Sequence, residues 1–231
     1  MKIGILETGA PPEHLTPKFG TYGRMFQALL GPKHDYRAFD VQTGDWPGAP
    51  ESCDSYIVTG SSAGVYETDP WITELMEFLR AARGKTKLVG VCFGHQAMAQ
   101  AFGGQVIKSP KGWGVGLHTY DVRHFAPWMG GAHDISIAAS HQDQVVELPP
   151  GARVIAASAF TPFGMLDYPG EGMASIQLHP EFAPEYAEAL IESRRGSRYT
   201  DPQADAAIAT LHQPNDRHRV GEWISRFLAL P

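Results

Sequence analysis

An α/β fold is predicted by three features of the sequence: short apolar runs rich in β-formers, amphipathic helical stretches between them, and a length suited to one core. Residues 3–6, 56–59 and 88–91 are such runs, each bounded by turn residues, and read as buried parallel strands. Residues 71–82 follow Asp69-Pro70, with proline at or near the first helical turn, and place Ile72, Leu75, Met76 and Leu79 on one face. Strand, helix, strand is therefore the repeating unit. A chain of 231 residues leaves little room for a second independent core, so one domain spanning 1–231 is expected.

Between 106 and 177 the texture changes to short alternating segments, such as 134–138 and 174–177, separated by glycine and proline. These predict added, partly antiparallel strands. From about 184 to 231 the chain turns helical again, at 185–194, 203–212 and 220–228, with Trp223, Phe227 and Leu228 as candidate inward residues of the last segment. That amphipathic end can cover the chain's own sheet or meet a partner. Residues 40–54, rich in glycine and proline, form a surface connection, because too little chain precedes them to make a core. The whole pattern is that of a flavodoxin-like three-layer sandwich, with a central mostly parallel sheet, antiparallel additions, and its site at the carboxyl ends of the central strands.

Composition narrows the function. The net charge is −6 and the basic residues are scattered, Arg194, Arg195 and Arg198 being the nearest to a cluster, so nucleic acid is not an expected partner. No apolar run approaches bilayer length, and residues 3–6 are too short for the core of a signal peptide, which makes the cytoplasm the expected address and a membrane no partner. Ten histidines show neither HExxH nor finger spacing, so scattered surface histidines and no metal or other cofactor are expected. Cys53 and Cys92, the two cysteines, stay reduced in such a compartment.

Residues 90–96 read GVCFGHQ, directly after an apolar strand and directly before a helix. Glycines two residues on either side of Cys92 let neighbouring backbone pass close to a sharp strand-to-helix turn, the setting of a nucleophile elbow. The helix that follows aims free backbone N–H groups and its positive end at the sulfur, which favours thiolate over thiol. Alone, Cys92 reads first as a small buried core residue at a strand end; the glycine spacing and the helix start reverse that reading and point to a nucleophile.

A thiolate nucleophile needs a histidine, and residues 178–182 read LHPEF at the end of the strand expected at 174–177. Pro180 disfavours the α region for His179, and in extended chain residues two apart point to one side, so Glu181 can hold the His179 imidazole tautomer. Joined to the elbow, Cys92, His179 and Glu181 form a Cys-His-acid triad in which each member has a role. Residues 59–63, TGSSA, end another expected strand; backbone N–H groups of Gly60 and Ser61, with that of Phe93, can form an oxyanion hole. A plain glycine-serine turn remains the alternative there.

GVCFGHQ, TGSSAG at 59–64, SHQDQV at 140–145 and LHPEF occur in the order seen in class I glutamine amidotransferase domains, and the likeness spans most of the chain. It resembles free-standing members of that family, a group that includes γ-glutamyl peptidases, because no synthase domain follows. The resemblance implies cysteine-dependent hydrolysis of a γ-carboxamide through a γ-glutamyl thioester, with glutamine or a γ-glutamyl compound as substrate and a separate synthase subunit as a partner for released ammonia. Carried over, Gln96, Ser140 and His141 contact the glutamyl part of the substrate, with the backbone near Gly60 and Phe93. From position alone, Gln96 can border the pocket or pack beneath the elbow, and His141 and Asp143 can be ordinary loop residues. A γ-glutamyl peptidase differs only in its leaving group, and a catalytically quiet regulatory protein with the same fold is the rival of another class. The KGWGVGL segment at 111–117 is placed near the site through Trp113, but nothing in its spacing gives it a chemical task.

Overall fold

A computed structural model describes residues 1–230. The chain begins with β1 (Lys2–Glu7), the short α1 (Thr16–Phe19), α2 (Tyr22–Leu30), β2 (Asp35–Asp40) and β3 (Ser55–Val58). It continues through α3 (Pro70–Ala82), β4 (Lys87–Val91), α4 (Phe93–Ala101), β5 (Gln105–Lys108), β6 (Gly114–Val122), β7 (Asp134–His141) and β8 (Asp143–Glu147). The last part holds β9 (Arg153–Ala157), β10 (Met165–Tyr168), β11 (Met173–Ile176), α5 (Pro184–Ser193), α6 (Asp201–Leu211) and α7 (Arg217–Ala229).

Nine strands form one sheet in the order β2-β1-β3-β4-β11-β10-β9-β6-β7, and β5 pairs separately with β8. The first five strands are mutually parallel; from β11 outward every neighbouring pair is antiparallel. Residues 174–177, which by texture belong with the antiparallel additions, prove to be the innermost parallel strand. β11 runs beside β4 with Val91 opposite Ile176, and alternating sequence alone does not fix that long-range pairing.

Both faces of the parallel half are covered, which is why its strands read as unbroken apolar runs. On one face Ile3, Ile5 and Ile57 pack with Phe26 of α2 and Trp223, Ile224 and Phe227 of α7. On the other, Leu6, Tyr56 and Val58 meet α3 and α4. A third cluster joins Phe182, Tyr186 and Leu190 to α6 and to Ala138 of β7, closing the antiparallel half. No helix among the described residues is long and apolar enough to cross a membrane.

Two elements carry weak signals. α2 buries Met25, Phe26 and Leu30 behind a Thr21 cap that accepts from the Arg24 N–H, but with only nine residues it shows little more than two turns of pattern. β2 is an edge strand with Phe39 as its one buried residue. The C-terminal amphipathic face, by contrast, covers the chain's own sheet: Trp223 is buried, and Phe227 packs edge-on against Trp128 at 5.4 Å between ring centroids. Trp223→Ala is expected to lower stability by about 3–5 kcal/mol through lost burial and a cavity. Urea unfolding checks this, and a loss below about 1 kcal/mol would mean α7 is not part of the core.

Candidate active site

No loop separates β4 from α4. Val91 ends the strand, Phe93 begins the helix, and Cys92 alone makes the turn, with φ 53° and ψ −103°. It is the one non-glycine residue with positive φ among the described residues, a conformation that costs on the order of 1–3 kcal/mol. The flanking glycines make the turn possible by close approach. A methyl group on Gly94 would stand 2.2 Å from the Val58 carbonyl oxygen, and one on Gly90 would stand 2.5 Å from that of Gly94. Three backbone hydrogen bonds hold the junction: Cys92 N–H to Ile176 O at 2.9 Å, Gly94 N–H to Thr59 O at 3.1 Å, and Gln96 N–H to Cys92 O at 3.1 Å.

His179 leaves the carboxyl end of β11, the strand beside β4, and its own N–H donates to Ala138 O at 2.9 Å. The chain does not stay extended after it. A turn closed by Phe182 N–H to His179 O at 3.3 Å brings Glu181 back, so that its Oε1 lies 2.8 Å from His179 Nδ1. Cys92 lies next to the ring as well: a methyl group on Gly60 would touch both His179 Cε1 and Cys92 Cβ. Phe182 stacks flat on the imidazole, 4.0 Å between centroids and 8° from parallel, which fixes the plane of the ring.

Burial by itself would hold this imidazole neutral. Cys92 and Glu181 together outweigh burial and raise its pKa to about 10. Charge on the ring is therefore retained through neutral pH.

Cys92 opens on a cleft of about 280 Å3, and Ser61, Gln96, Ser140 and His141 line it as well. Gln96 borders the cleft and braces the elbow at once: its Nε2 donates to Asp143 O at 2.9 Å and to Gln177 Oε1 at 3.1 Å. Ser140 Oγ accepts from Arg194 Nη1 at 2.7 Å. Burial pushes the His141 pKa down to about 3, so its ring is neutral, and its Nδ1 lies 3.2 Å from the Asp143 carbonyl oxygen. Gly60 lies behind the thiol, where a methyl group would come within 3.0 Å of His179 Cε1 and 3.7 Å of Cys92 Cβ. The Phe93 ring is buried and faces Trp71, 5.5 Å between centroids, leaving only the backbone N–H of Phe93 for the site. That N–H begins α4 and has no carbonyl one turn back to accept it.

Not all histidines lie at the surface. His95 is fully buried under the elbow with Nδ1 2.8 Å from Ser175 Oγ, and burial lowers its pKa to about 3. The described residues contain no group of three or more side chains that could hold a metal ion. The cleft also contains Trp113, whose segment the sequence places near the site, and Lys108, Arg194 and Arg198, which the motifs do not mark as site residues. The arginine-rich run at 194–198 is their one visible signal.

The model of the glutamine amidotransferase class-I family matches residues 40–194, more than half of the chain, and that span contains the elbow, the Gly60 turn and the His179 segment. The chain belongs to this family. As a class-I glutamine amidotransferase it is similar to a glutamine amidotransferase-like protein of Schizosaccharomyces pombe, 28% identical over 98% of both chains. It is also similar to gamma-glutamyl peptidase 5 of Arabidopsis thaliana, 28% identical over 84% of this chain and 81% of the peptidase. A glutamine amidotransferase from Thermotoga maritima shares its fold, with a TM-score of 0.79 over 100% of this chain and 99% of that one at 14% identity.

Two outcomes follow from this geometry in a class-I amidotransferase. The His179 ring is expected to titrate well above the ordinary imidazole value of about 6.5. Its partners' stabilisation is then present below that value and lost as pH rises through about 10. Nuclear magnetic resonance of labelled histidine measures the midpoint, and one near 6.5 would mean that Cys92 and Glu181 do not favour the charged ring over burial. Iodoacetamide is expected to alkylate Cys92 faster than Cys53 at neutral pH, read by peptide mass spectrometry. Both are nearly buried, at 5% and 3% exposure, so exposure alone does not separate them, and equal rates would count against an activated thiol.

Proposed function

We propose that the chain is a cysteine-dependent amidohydrolase that cleaves the γ-amide bond of a glutamyl substrate through a γ-glutamyl thioester, with Cys92, His179 and Glu181 as its triad. The observation that carries this is the strained Cys92 turn set beside a histidine whose other nitrogen is held by a buried carboxylate. Strain at a non-glycine residue persists where function requires that geometry.

In this reading the Cys92 thiolate adds to the γ-carbonyl carbon. The oxyanion is received by backbone N–H groups at Gly60, Ser61 and Phe93, each worth roughly 3 kcal/mol at the transition state. His179 gives its proton to the departing nitrogen as the C–N bond breaks, leaving the glutamyl group on sulfur. Water then adds to the thioester while His179 takes its proton, the C–S bond breaks, and glutamate leaves with the thiolate restored. Gln96, Ser140 and His141 bind the glutamyl part.

With glutamine the leaving group is ammonia, and a separate synthase subunit is the partner that would use it. The peptidase reading has an observation of its own. The cleft is lined by Trp113, Arg194 and Arg198 as well as by Gln96 and Ser140, more recognition surface than ammonia as leaving group needs. Glutamate release from glutamine and from γ-glutamyl dipeptides, compared as kcat/KM, separates the two, and absence of glutamate and of thioester from either would favour a non-enzymatic role.

For the triad itself, Cys92→Ala is expected to abolish turnover with the fold kept. His179→Ala is expected to cost about a hundredfold to ten-thousandfold, the range of proton transfer, and Glu181→Gln less. Steady-state kinetics on proteins with matched circular dichroism read the order. If Glu181→Gln proved more damaging than His179→Ala, Glu181 would need a direct chemical role and the triad would be misassigned.

A further inference from the structure

The three arginines after α5 are not equivalent. Arg195 is neutralised: it pairs with Glu192 at 2.7 Å and Asp205 at 2.8 Å, lies 3.7 Å from Asp201, and donates to the Asp201 carbonyl at 3.1 Å. Arg194 and Arg198 form no ion pair among the described residues, and both line the cleft that holds Cys92. Arg194, half-buried, spends one N–H on Ser140 Oγ at 2.7 Å. The Arg198 guanidinium lies over the Trp113 ring, 5.2 Å from its centroid, at the exposed side of the cleft.

These positions are built rather than incidental. Arg198 N–H donates to Arg194 O at 2.9 Å, and Gly196 N–H to Tyr199 O at 2.8 Å, so the loop is closed on itself. Tyr199 is buried and packs edge-on against Trp113, 5.6 Å between centroids, which fixes the surface under Arg198. Two like charges one turn apart repel, and burial followed by the Arg194 charge pushes the Arg198 guanidinium pKa down. An anion between them would relieve both costs. The carboxylates in the cleft do not supply it: Glu67 accepts from Gly64 N–H at 2.9 Å and Asp143 from the Tyr66 hydroxyl at 2.9 Å, and neither pairs with an arginine. Lys108 adds a third cation to the same cleft.

Glutamine brings one carboxylate and is neutral overall. We propose that Arg198, seated on Trp113 and supported by Arg194, is an anion subsite that selects γ-glutamyl substrates whose leaving amine itself carries a carboxylate. This rests on the hydrolase reading above. Its direction follows from the order of events in that reading: the amine must depart while the glutamyl group is still on Cys92, so the leaving group occupies the solvent side, where Arg198 stands. A guanidinium seated over an aromatic face can still present its N–H edge to a carboxylate for bidentate binding.

The test compares γ-glutamylglycine with γ-glutamylglycinamide, which differ only in that terminal charge. In the wild-type protein kcat/KM is expected to favour the acid by about tenfold or more. Arg198→Ala is expected to bring that ratio to within about threefold of one, and Arg198→Lys, which keeps the charge, to retain part of it. Melting curves establish that both variants fold. Calorimetric titration of Cys92→Ala protein with the same two compounds reads the preference without turnover. Turnover of both substrates at equal kcat/KM would overturn the subsite and leave the hydrolase reading standing. Tighter binding of the acid to Cys92→Ala protein, lost on adding Arg198→Ala, would uphold the subsite even if the wild-type protein cleaved neither compound, and there the hydrolase reading would fail instead. Equal binding of the two, or binding of neither, overturns it.

Discussion

Helix α4 meets strand β3 with no space for a side chain between them, and the position of the thiol depends on that contact. Gly94 lies so close to the Val58 carbonyl that any Cβ would collide with it, while its own N–H donates to Thr59 O. A helix pinned this near the sheet must begin immediately after β4, and the single residue left to make the turn takes a positive φ that L-residues avoid. The sheet bears the cost. Ile176 of β11 accepts from Cys92 N–H, so the strand that leads to His179 also clamps the strained residue. Sheet register thus sets both the sulfur and the imidazole, and a slip of one residue between β4 and β11 would separate them.

Electrostatics adds a second dependence. A buried carboxylate and a buried imidazole are each costly alone, and together they share the burden only if their geometry is held. The turn at Pro180, the Phe182 ring flat against the imidazole, and the Tyr22 and Tyr186 rings around Phe182 supply that restraint. The apolar packing of the third cluster therefore bears directly on proton position.

Parts of this arrangement are legible in the sequence because they are local. The junction at 90–96 announces itself through two glycines, an apolar strand before and a helix after, and α3 through Asp69-Pro70 and its apolar face. The place of β11 is not local: residues 174–177 look like their antiparallel neighbours, and only pairing with a strand some 85 positions earlier, Val91 with Ile176, makes them parallel core. His179 and Glu181 are visible as HPE, yet the turn that joins them replaces the extended segment that Pro180 suggests. The arginines at 194, 195 and 198 are visible as a run. Which of them is neutralised depends on Asp201 and Asp205 in and around α6, a matter of folded proximity that composition does not reveal.

Arg195 anchors its loop to α6, whereas Cys92 and His179 hang from the ends of sheet strands. The two supports differ, a helix for one and the sheet for the other, and the family match ends at residue 194, where the loop begins. Exchanging or lengthening the stretch that bears Arg198 would change what borders the cleft while the strand registers keep Cys92 and His179 where they were, which makes this loop a natural grafting point on the scaffold.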